Sequence, residues 1–97
     1  MGNSTNHYNN FEEFMQASID AASLELEKKH GISIISIIES SKEAQVKFAK
    51  IIRDTVNGPH NYEQRLKQLY ENRQDVEPLI KECASSIMLQ VVLSDIF

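Results

Sequence analysis

Glycine and proline are scarce, three and two in 97 residues. Turns that depend on their special backbone geometry are therefore few. The elements between such turns are long, which argues against a sandwich or barrel of many short strands. Cysteine is scarcer still. The single Cys83 excludes an internal disulfide and a cysteine-cluster metal site. A basic excess is missing too: the formal net charge is −4. Nucleic-acid binding draws most of its affinity from a basic face, so the balance argues against it. No apolar run reaches the roughly 20 residues that a bilayer crossing needs. The start has neither a basic n-region nor an apolar core, so no secretory signal is expected. It also departs from the myristoylation pattern, with Asn6 where Ser or Thr belongs. Cytoplasm is the expected location.

What is present is helical patterning in one domain. Residues 1–10, "MGNSTNHYNN", are polar and Asn-rich and read as a flexible lead-in. The domain is expected over 11–97. Asn10 with Glu13 resembles a capping box. Phe11, Phe14, Met15, Ile19, Ala22 and Leu26 then follow at helical spacing. Lys28, Lys29 and His30 suit a helix C-terminus, and Gly31 suits the residue after it. A first helix over Phe11 to His30 follows.

Ile32 to Ile38 is ambiguous. Its β-branched isoleucines read as a strand on propensity. Yet no other stretch offers a strand partner, and Ser33 or Ser36 can cap a helix. A helix from about Ser33 is predicted, either continuous or broken near Ser40, where "SSKE" gives another capping box. Ala44, Phe48, Ile51, Ile52 and Thr55 share a face up to Asn57-Gly58-Pro59, a firm stop. A third, short helix starts at Asn61, with Tyr62, Leu66, Leu69 and Tyr70 on one side. Asp75 caps a fourth helix, whose first turn tolerates Pro78.

That fourth helix contains "SSIMLQVVLSDIF", Ser85 to Phe97, where Asp95 is the one charged side chain. Glu82, Ser86, Gln90 and Ser94 form a narrow polar stripe. Apolar residues fill most of the remaining circumference, so burial on more than one side is expected. The predicted fold is all-α, a small bundle of about four helices with the last largely buried. Met88, Val92, Leu93, Ile96 and Phe97 are the candidate oligomer contacts of a homodimer.

Chemistry-bearing patterns are thin. His7, His30 and His60 have no partner histidine at ligand spacing. Cys83 lies among Ile80, Ala84 and Ile87, where nothing basic lowers its pKa, and reads as a core thiol. There is no G-x-S-x-G element, no phosphate loop, no HExxH and no EF-hand loop. The Asp-Ser-Leu attachment site of acyl carrier proteins is also missing. No catalytic residue, cofactor or metal is predicted. Lys47, Lys50, Arg53, Arg65 and Arg73 are the candidate anion or partner patch, although Glu43 and Asp54 stand at pairing distance along the same helix. Glu12, Glu13, Asp20, Glu25 and Glu27 make the first helix acidic. The leading expectation is a non-catalytic interaction module of the inhibitor, immunity or regulator type that binds a protein partner. The alternative is an oligomer that binds a nucleotide or other small anion through the basic residues of the second and third helices.

Overall fold

The computed structural model describes residues 3–95, and every element among them is a helix. α1 spans Asn3–His30, α2 Ile34–Ser40, α3 Lys42–Asn57, α4 Tyr62–Glu71 and α5 Glu77–Ser94. Met1, Gly2, Ile96 and Phe97 lie outside the described residues. The readings placed on them, lipidation at one end and oligomer contact at the other, lie outside with them.

The sequence predicts four helices, and five are found among the described residues. The second predicted helix is divided in two at Ser41, which is extended, with φ −138° and ψ 118°. Its hydroxyl accepts the Ala44 N–H at 3.2 Å, satisfying one of the orphan donors at the head of α3. The cap stands one residue after the Ser40 of the expected box. Ser40 is engaged elsewhere, its hydroxyl donating to the Ser36 carbonyl at 2.8 Å. The isoleucines of the ambiguous segment are helical from Ile34 onward.

The other correction concerns α1. It is already running at Asn3, so Asn10 is not its cap. Its far end behaves as predicted. Gly31 adopts φ +65°, its N–H donates to the Glu27 carbonyl at 3.0 Å, the bond of a left-handed cap, and the Ile32 N–H donates to the Leu26 carbonyl at 3.2 Å. α4 closes differently. Arg73 takes the left-handed position, φ 54°. The Gln74 N–H reaches the Leu69 carbonyl at 2.8 Å and the Arg73 N–H reaches Tyr70 at 3.2 Å. That pair of bonds is a Schellman motif with arginine in the place glycine prefers. At the head of α5 the cap position belongs to Val76, not to the expected Asp75, and has no side-chain cap; the Asp75 carboxylate accepts the Glu77 N–H at 3.2 Å, and Pro78 sits in the first turn.

α1 and α5 form the main pairing. α3 packs on α5, α2 links α3 to α1, and α4 rests on α1 and α5. The longest dimension is 41 Å, about the length of a 28-residue helix at ~1.5 Å per residue, so α1 sets the length of the domain. The core takes Phe14, Ala22 and Leu26 from α1, Ile34 from α2, Ala44 and Ile51 from α3, Tyr62 and Leu66 from α4, and Leu79, Cys83, Ile87 and Val91 from α5. Each large aliphatic or aromatic side chain buried there stabilises by about 1.5–3 kcal/mol. Two buried hydroxyls bond back along their own helices, Ser18 to the Phe14 carbonyl at 2.9 Å and Thr55 to Ile51 at 2.8 Å. Neither imposes the cost of an unpaired buried polar group.

Candidate functional site

α5 touches α1, α3 and α4, yet it is not buried all round. Leu79, Cys83, Ala84, Ile87 and Val91 face the core. Leu89, Val92 and Leu93 face water, exposed by 57, 43 and 69%. The polar stripe, in contrast, is partly covered. Glu82 receives both arms of the Arg65 guanidinium from α4, at 2.8 and 2.9 Å, and Ser86 is half-buried. α4 meets α5 at Glu82 through this ion pair. Leu89 and Leu93 fall within about 20° of Glu82 around the helix, two to three turns further along, and are left outside.

The α4 contact is centred on Tyr62, which is fully buried. Its ring stands 6.1 Å from that of Phe14 and 5.1 Å from that of His60, which stacks on it. The Arg65 guanidinium lies over the same ring, 5.7 Å from its centre. The Tyr62 hydroxyl is buried without a hydrogen-bond partner. Ser86 faces it, but not in hydrogen-bonding geometry. Burial, and then the neighbouring Cys83, push the phenol above its usual range. Burial likewise pushes the Cys83 thiol up, against the opposing pull of Ser18. A buried, protonated thiol is a poor nucleophile, as the sequence suggests for this residue.

The candidate basic patch is divided between elements. Lys47, Lys50 and Arg53 are exposed on α3, and Lys50 holds Asp54 at 2.7 Å. The Glu43–Lys47 pair suggested by spacing is not among the ion pairs of the described residues. Arg65 belongs to α4 and is engaged by Glu82, while Arg73 lies in the loop after α4, exposed. A cleft of about 590 Å³ opens where α4 meets the head of α5, and Arg65 lines it together with Asp75 and Glu82. Two carboxylates and one paired arginine make that cleft unfavourable for an anion. His60 is taken up by its stack on Tyr62, and His30 ends α1. Among the described residues, no three metal-ligating side chains come together. No described helix is long and apolar enough to cross a membrane. On the acidic helix, Glu12, Glu13, Asp20 and Glu27 are exposed, while Glu25 pairs with Lys29 at 3.2 Å.

A second opening of about 420 Å³ runs between α1 and α5. Ala21, Leu24, Ile80, Ala84 and Met88 line it, with charged side chains at its edges. Leu24 is 59% exposed. No family model matches the chain, and no curated protein or solved structure is detectably similar to it. The site therefore rests on its own geometry.

Of the candidate oligomer contacts, Met88 lines the α1–α5 groove. Val92 is exposed one turn further along the same side. Leu93 is turned away from Met88 by about 140° around the helix, so these residues do not share one face. Sequence reasoning missed Leu24 and Leu89. Leu24 did carry a signal, because it falls outside the apolar face defined by Phe14, Ala22 and Leu26 on its own helix. Leu89 carried none, since its helix is apolar in this region on all but one narrow stripe.

Proposed function

We propose that this chain is a small non-catalytic interaction module of the inhibitor, immunity or regulator type, which works in the cytoplasm by binding a partner protein. The observation that carries the reading is the pair Leu89 and Leu93. They stand four residues apart on one face of α5 and so adjoin, and each is more than half exposed. Single exposed leucines are ordinary on protein surfaces, whereas adjoining ones form the apolar centre that partner interfaces are built on. A single buried thiol suits a reducing compartment.

The anion-binding alternative has less support. Two of its cations, Lys50 and Arg65, already hold carboxylates.

The test is comparative capture from cell extract by the wild type and by a Leu89→Glu, Leu93→Glu double variant. Both side chains are exposed, so the variant should keep its helicity and melting temperature, surface changes usually costing under about 0.5 kcal/mol. A partner retained by the wild type and lost by the variant, then shown to bind directly by titration calorimetry, supports the reading. Identical capture by both proteins would remove this face from consideration.

A further inference from the structure

We propose that the groove between α1 and α5 is a two-fold face through which two copies of this chain pair. This deepens the interaction reading and rests on it, but it uses a different side of α5.

Three observations select a second copy as the occupant. The first is shape. A two-fold contact places the same patch on both partners, so the patch must carry both a recess and something to fill it. Here both are side by side. The recess has small side chains, Ala21 and Ala84, in its lining. Leu24 stands in the same lining and is 59% exposed. Val92, 43% exposed, extends the Met88 side by one turn. A groove made for a foreign side chain needs only the recess.

The second is charge. The groove is edged by Glu25 and Lys29 from α1 and by Glu77 and Lys81 from α5. Two acids and two bases balance, and Glu25 and Lys29 already pair with each other. A face that meets its own copy must not present one sign to itself, because opposed like charges are repulsive. The acidic face of α1 does present one sign, with Glu12, Glu13 and Asp20 exposed. That face would repel its copy. The groove does not.

The third is compatibility. Leu93 lies about 100° around α5 from Val92, so pairing through the groove leaves Leu89 and Leu93 free. The dimer would then display the partner-binding face twice, once on each copy.

Sedimentation equilibrium of the full chain, at micromolar to millimolar concentrations, reads the pairing directly. The wild type should dimerise. Leu24→Glu should raise the dissociation constant at least about tenfold, equivalent to about 1.4 kcal/mol, with unchanged helicity, since the replaced side chain is mostly exposed. Lys81→Glu should also weaken pairing by leaving three acids against one base, and adding Glu77→Lys to it should restore pairing. Leu93→Glu, on the other side of α5, should leave the dimer intact. A wild type that stays monomeric overturns the pairing, and leaves the partner reading standing on Leu89 and Leu93. A dimer indifferent to Leu24→Glu and Lys81→Glu but broken by Leu93→Glu also overturns it. A dimer that depends on Leu24 yet binds no other protein supports the pairing and counts against the partner reading instead.

Discussion

Tyr62 is the most enclosed large side chain of the core, and its hydroxyl has no partner. Such an orphan costs about 1–3 kcal/mol. Tyr62→Phe removes the orphan and keeps the ring. Urea unfolding of that variant should therefore show unchanged or increased stability, whereas Tyr62→Ala should lose about 3–5 kcal/mol by opening a cavity. A clear loss in Tyr62→Phe would mean that the hydroxyl is bonded after all. Cys83 makes a pH-dependent case. Its folded pKa is raised by burial, so in the folded state the thiol holds its proton more tightly than in the unfolded chain. The resulting stabilisation is complete below the unfolded thiol value, near pH 8.5, and is lost as pH rises above it. The melting temperature of the wild type should fall more steeply through that alkaline range than that of Cys83→Ala. Parallel curves would contradict the assignment. In native protein at neutral pH the thiol should also resist alkylation until denaturant is added.

At the scale of elements, the left-handed residues that close α1 and α4 give opposite expectations. Gly31→Ala should cost about 1 kcal/mol, because alanine resists the φ of +65° although open space surrounds the added carbon. Arg73→Gly should gain a comparable amount, of order 1 kcal/mol, by relieving an arginine held at φ 54°. Chemical denaturation of the two variants measures both, and an Arg73→Gly protein less stable than wild type would show that the arginine side chain is needed there. These ends also show what the sequence could reveal. Gly31 was legible, because glycine announces the conformation it serves. Arg73 was not, since nothing in an arginine signals a positive φ. The break at Ser41 was one of two readings that the sequence left open, placed there one residue earlier, at Ser40. The helical state of Ile34–Ile38 was inferred from a missing strand partner, against the propensity of the residues themselves. The orientation of α5 was beyond reach from periodicity, because apolar residues surround most of the helix and do not single out the side that packs on α1 and α3.

In the whole molecule, α5 has a buried side and an exposed one, where the sequence leads to burial on more than one side. Val92 is 43% exposed while Ile87 and Val91 are fully buried. In dilute solution Val92→Glu should change unfolding free energy by no more than about 0.5 kcal/mol, and Ile87→Ala should lose about 2–5 kcal/mol. Equal losses in the two variants would mean that the helix is buried on both sides. One further consequence comes from the small helix. α4 contributes two wholly buried side chains, Tyr62 and Leu66, and the surface it covers on α5 includes a carboxylate and a serine. Lifting it would return Ser86 to water, Glu82 being exposed already, and leave the α1–α5 pairing intact. Breathing of that kind is inexpensive compared with global unfolding. Amide protons in α4 should therefore exchange with deuterium well before those in the middle of α1 and α5, with a free energy of opening below that of the domain as a whole. The bundle thus has a slow-exchanging helical pair with a fast-exchanging flap clipped to it by one aromatic ring and one arginine.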